Sequence, residues 1–201
     1  VQAFDDTGAP YSSGSVDPAR DLQSMLGELA LADLETLEKA EGRLTDGLKK
    51  AKPAERPALV PQLEAVRKVK EALEGDVPVR QQSLTHSEEA ALSDFQLLTS
   101  KPVIVAFNTS ESGPSQTLSG LGLTAEVAAG LGEVALSAKL EEDLALMTEE
   151  ESVEFREALG LDEPAIEKGK RVCYDTVGLV SFLTVGEDEV RAWPVPNGIL
   201  A

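Results

Sequence analysis

KPVIVAFNTSE, residues 101–111, sets an unbroken apolar run against an abrupt polar ending. Val103 to Phe107 are of strand length and show no polar alternation. Such a run suits a strand covered on both faces, as in a parallel α/β sheet. In sheets of that kind ligands gather at the carboxyl ends of the strands, where Asn108 falls. From these residues alone, a buried strand running into an ordinary turn is the better explanation of the stretch. The rest of the chain has to decide.

The chain has 201 residues, 42% hydrophobic and 27% charged, with a formal net charge of −18. That is enough for one large domain or two small ones with a real core. No apolar stretch approaches the roughly 20 residues of a membrane-spanning helix. The one cysteine, Cys173, excludes an internal disulfide, and with the one histidine, His86, it offers no cluster of soft metal ligands. A reducing, cytoplasmic setting is expected, with Cys173 packed in a helix rather than acting as a nucleophile. The acidity argues against the whole surface embracing a phosphate backbone, and 4% aromatic content leaves little for base stacking.

Upstream, residues 1–16 lack periodicity, although Val1 to Phe4 fit the tail of a strand. Asp17-Pro18 then reads as a helix start. Leu22, Met25, Leu26, Leu29, Leu37, Ala40, Leu44 and Leu48 recur at helical spacing, with Asp33 and other charges on the remaining faces. Lys52 to Pro57 break this helix, and Ala58 to Leu73 carry a second stripe. Together they predict an antiparallel helical hairpin of coiled-coil type. Gly75 to Ser83 read as a linker. Thr85 and Glu88 have capping-box spacing, which predicts a helix to about Leu98, with His86 solvated in its first turn.

Downstream, Ser112 to Gly122 form a loop rich in glycine and serine, and Thr124 to Ala129 a short helix. Glu133 to Ser137 read as a second strand, running into Ser137-Ala138-Lys139-Leu140-Glu141. Glu141, Glu142 and Asp143 are taken as a solvated acidic turn. Thr148 caps a helix to Leu159, and Pro164 to Val177 make a last one. Leu179 to Val185 and Glu189 to Val195 pair as a hairpin around Gly186-Glu187-Asp188, with Trp193 as core. Glu149, Glu150 and Glu151 suit a helix N-terminus and need no metal.

Two strand ends, N-x-x-E and S-A-K, separated by a helix are the combination that carries chemistry. A purine edge needs a donor and an acceptor together, which the Asn108 amide supplies, and Ser137-Ala138 offer backbone N–H groups beside it.

These residues resemble the YchF/Obg-like ATPase family of P-loop nucleotide-binding proteins. The resemblance runs through Ser13 to Pro18, Glu28 to Leu34, Leu98 to Ile104, Asn108 to Glu111, Ser137 to Glu141, Glu157 to Leu161 and Thr184 to Trp193. It implies an α/β fold: a partial P-loop NTPase-like sheet, an inserted antiparallel coiled-coil hairpin, and the start of a β-rich TGS domain. The implied division is residues 1–16 and 84–177 for the nucleotide-binding domain, 17–83 for the insertion and 178–201 for the TGS start. Members hydrolyse ATP, often in preference to GTP, with Mg²⁺, and associate with ribosomes.

By the same resemblance, Asn108, Thr109, Glu111, Ser137 and Ala138 select the base, with Glu111 replacing the aspartate of guanine-specific relatives. The 201 residues contain no G-x-x-x-x-G-K-[ST] loop. The chain is therefore expected to be a fragment that needs the P-loop half as its partner, with no catalytic residue and no tight nucleotide binding of its own. Lys49, Lys50 and Lys52, at the hairpin tip, are the candidate place for a weak RNA contact. The competing reading is a non-catalytic interaction module that works through the helical hairpin.

Overall fold

The computed structural model describes residues 1–5, 11, 14–111, 116–161 and 163–198. Part of the irregular start and of the 112–122 loop thus lies outside the described residues. The chain divides into two compact units, residues 22–101 and residues 1–21 with 102–201.

The first unit is helical. Helix α1 (Pro18–Lys50) starts where the sequence places it, with the Asp17 carboxylate accepting from Arg20 N at 3.0 Å. After residues 51–55, helix α2 (Arg56–Glu74) returns beside it. Glu41 of α1 accepts from Arg67 at 2.8 Å and from Lys70 at 3.2 Å, and these bonds hold its carboxyl below the usual range. Leu37, Ala40, Ala65, Val66, Val69 and Leu73 form the shared core. Met25, placed on the stripe by its spacing, is instead 59% exposed.

Asp33 departs from expectation in the opposite direction. It is buried, and it accepts from Leu98 N, Thr99 N and the Thr99 hydroxyl, each at 2.7 Å. Three donors satisfy a carboxylate that would otherwise be costly to bury. The linker is packed as well: Val79 is buried, and its N–H reaches the Thr99 hydroxyl at 3.3 Å. Helix α3 (His86–Leu92) has the predicted capping box of Thr85 and Glu88, and the His86 side chain is 99% exposed. The helix ends earlier than predicted: a 3₁₀ turn over Ser93–Phe95 follows Leu92, and Gln96, left-handed at φ 50°, ends that turn before Leu98.

The second unit is a mixed α/β layer. Strand β1 (Val103–Asn108) pairs in parallel with β2 (Leu131–Leu136), Val103 opposite Leu131 and Asn108 opposite Leu136. On the other edge of β1 the first residues add a short parallel bridge: Asn108 N donates to Val1 O at 2.9 Å and Ala3 N to Asn108 O at 2.8 Å. Between the strands lies α4 (Ala125–Ala128), capped by Thr124. After β2 come α5 (Ala138–Ala145), α6 (Glu149–Leu159), α7 (Ala165–Val177) and the hairpin of β3 (Leu179–Val185) with β4 (Val190–Pro196).

Cover on β1 is less even than its apolar run predicts. Val105 and Phe107 are buried, but Ala106 is exposed. On the alternate face α7 comes close to the sheet only because residue 132 is glycine. A Cβ there would stand 2.1 Å from Thr176 Oγ1 and 3.2 Å from Ile104 Cγ1. Thr176 of α7 meets the sheet at Gly132, and Cys173, expected to pack, is exposed. Trp193, expected as core of an incipient TGS domain, is not enclosed by the described residues. It is 48% exposed, lies opposite Phe182, and donates through Nε1 to Thr184 Oγ1 at 3.1 Å. The acidic turn expected at 141–143 is part of α5.

Candidate functional site

Parallel pairing brings the carboxyl ends of β1 and β2 side by side, so residues 108–109 and 136–138 meet. Ala138 N donates to Asn108 Oδ1 at 2.9 Å. A main-chain N–H can only donate, so the Asn108 atom facing it is the oxygen, and the NH₂ group points elsewhere. Thr109 is buried and donates twice to Leu136 O, through N at 2.9 Å and through Oγ1 at 3.3 Å. Ser137 caps α5 by accepting from Leu140 N at 3.3 Å.

Four of the five predicted base-site residues, Asn108, Thr109, Ser137 and Ala138, therefore lie at adjoining strand ends, and the Asn108–Ala138 bond joins two of them directly. Glu111 follows in an exposed turn. The bonds also redistribute the work. The Ala138 amide, expected to face a base edge, is committed to Asn108, and the Asn108 oxygen is committed in return. What remains at the sheet edge is the Asn108 NH₂, a donor suited to a ring nitrogen acceptor.

Lys139, not singled out from the sequence, sits at the start of α5. Its ammonium bonds Asp143 at 2.8 Å and Glu142 at 3.2 Å, which raises its pKa. At the hairpin tip, in the other unit, Lys49 is paired with Asp46 at 2.9 Å, whereas Lys50 and Lys52 are exposed. Among the described residues no group of three or more His, Cys, Asp or Glu is placed to hold a metal ion. No helix is long and apolar enough to cross a membrane.

No family model matches the chain. Individual proteins do, over all of it. It is 35% identical to the ribosome-binding ATPase YchF of Bacillus subtilis (strain 168) and 36% identical to that of Escherichia coli O157:H7. It is 32% identical to Obg-like ATPase 1 of Schizosaccharomyces pombe. This chain is homologous over its whole length to the YchF and Obg-like ATPases. It spans about half of the curated relatives it matches: 55%, 54% and 53% of these three.

The solved Schizosaccharomyces pombe YchF GTPase matches all of this chain and 55% of its own, with a TM-score of 0.79 and 30% identity. The mixed α/β arrangement with its parallel strands is thus shared with a YchF structure.

Proposed function

We propose that these residues supply the base-reading edge and the helical arm of a ribosome-associated nucleoside triphosphatase of the YchF type. The observation that supports this most directly is the Asn108–Ala138 bond, which ties the two strand ends into one edge and leaves the Asn108 NH₂ out of that bond. In this reading the Asn108 NH₂ meets a purine ring nitrogen. Thr109 and Ser137 hold the loops behind it, Ala138 fixes the amide, and Glu111 disfavours guanine because no aspartate stands there to accept from the guanine amino group. Homology to ribosome-binding ATPases favours this over a stand-alone interaction module.

The finer architecture belongs to the same proposal. Residues 1–16 and 84–177 would be nucleotide-binding domain, 17–83 a coiled-coil insertion, and 178–201 the opening of a TGS domain. A two-stranded hairpin with little burial fits the first part of a larger β structure. Lys49, Lys50 and Lys52 would offer the ribosome an RNA contact.

A nucleotide bound with Mg²⁺ presents a base, a ribose, phosphates and the metal, and these residues fit only the base. The sequence has no P-loop, so backbone cradle, lysine and Mg²⁺-binding hydroxyl have no counterpart in it. Phosphate contacts supply most of the affinity in such proteins. Base contacts alone correspond to about 4 kcal/mol, a millimolar Kd. Calorimetry of the 201-residue chain with ATP should therefore show millimolar binding or weaker, and no hydrolysis; micromolar affinity would overturn the assignment. In a protein of the relatives' full length, Glu111→Asp should move the ATP/GTP ratio toward GTP. An unchanged ratio would place the base elsewhere.

A further inference from the structure

The acidic charge is unevenly shared. Of the 18 Lys/Arg and 36 Asp/Glu, residues 22–101 hold 11 and 14, which leaves 7 and 22 for the sheet unit. Within that unit, residues 138–168 carry carboxylates at 141–143, 149–151, 154, 157, 162, 163 and 167, against the cations Lys139, Arg156 and Lys168. Lys139 pairs with Glu142 and Asp143, Lys170 with Glu167 and Arg171 with Glu163. The carboxylates of α6 face no such partner among the ion pairs of the described residues. The same segment exposes large apolar side chains. Leu146 is 84% and Ile166 65% exposed, and Phe155 and Leu159 are exposed on α6.

These features share one block of structure. Helix α5 packs on α6, and Glu141 of α5 accepts from Ala165 N at the start of α7 at 3.2 Å. On α6 the two chemistries fall into separate stripes. Phe155 and Leu159 stand one turn apart with buried Ser152, while Glu150, Glu154 and Glu157 run along a different, exposed face.

We propose that this face, α5, α6 and the first turn of α7, docks a Lys/Arg-rich amphipathic segment of a partner protein. The apolar stripe takes the partner's apolar side chains, and the flanking carboxylates take its cations. Charge selects the occupant: a polyphosphate strand would be repelled by the same carboxylates that attract a basic helix. The proposal is independent of the nucleotide reading, because it uses none of the base-site residues.

The test titrates the 201-residue chain, near physiological salt, with three labelled probes: a short Leu/Lys amphipathic helix, a lysine-only peptide of equal charge, and single-stranded oligouridylate. The amphipathic peptide should bind saturably, and the other two should not at matched concentration. Phe155→Ser with Leu159→Ser, and separately Glu150→Gln with Glu154→Gln and Glu157→Gln, should each weaken binding about tenfold. Equal binding of the lysine-only peptide, competition by oligouridylate, or unchanged affinity in either variant would overturn the proposal. So would self-association in sedimentation that the apolar variant abolishes, since a second copy would then be the occupant. If a variant fails to fold, amide exchange on the native chain still decides: the peptide should protect α6, and no protection sinks the idea.

Discussion

The helical unit and the C-terminal part of the sheet unit are built from similarly periodic helices, yet they bury very different amounts. Between α1 and α2, Leu37, Val66 and Val69 are completely enclosed, and Val79, Leu92 and Leu97 extend the same core. In the sheet unit the buried apolar residues end at Leu144; beyond it the described residues bury only Ser152. Helical periodicity specifies a face. Whether that face is covered depends on what the chain folds against it.

The largest effect should come from cutting into the enclosed core and comparing it with the open one. Leu37→Ala should cost about 2–5 kcal/mol, because a closed site cannot collapse around the lost methyls. Leu159→Ala, on an exposed face, should stay within about 0.5 kcal/mol. Urea midpoints at constant m-value read both. Equal losses would mean that α6 is packed in solution, and the contrast would fail.

A smaller effect tests the close approach of α7 to Gly132. The Cβ of Gly132→Ala would collide with Thr176 Oγ1, so α7 must shift, at about 1–3 kcal/mol. Adding Thr176→Ala removes the atom in the way and should recover most of that loss. A double variant no better than Gly132→Ala alone would mean that the backbone of α7, rather than this hydroxyl, sets the spacing.

At the candidate site the expected change is smaller still. Asn108→Ala should remove about 1 kcal/mol and speed exchange of the Ala138 amide, whose acceptor is lost. Asn108→Asp keeps an acceptor and should keep that amide slow, while losing the NH₂ offered to a base. If both variants exchange alike, the bond does not hold the two loops together.

What the sequence disclosed divides along the same physical lines. Local devices were legible: the apolar run of β1, and the capping boxes at Thr85–Glu88 and Thr148–Glu151, whose partners lie three residues apart. Asp33 was not, because the amide it holds at Leu98 is 65 residues away, and a lone aspartate on a long helix looks solvated. Helix α5 was missed because it is eight residues long, buries only Leu144, and has no Glu or Gln at the third position after its Ser137 cap. The donor and acceptor chemistry of Asn108 and of the Ser137-Ala138 amides was legible from residue type, and Thr109 and Glu111 came from the resemblance. The bond that commits the Ala138 amide to Asn108 was not legible, since it joins residues 30 apart.

The smallest effect concerns how the helical unit holds its last helix. Glu88 is pulled from the ordinary value of 4.5 down to about 2, first by the Lys68 ammonium and then by the Thr85 N–H and hydroxyl. A depressed carboxyl stabilises the folded form above its unfolded value, and that contribution disappears as pH falls through the folded value. Protection of the α3 amides should therefore decline between pH 4.5 and about 2. Glu88→Gln should start lower at neutral pH and decline less, so that the two proteins converge at the acid end. Glu88 lies near the surface, so added salt should shrink the difference between them. Parallel pH profiles would show that α3 is held by Leu92 in the core and not by this carboxylate.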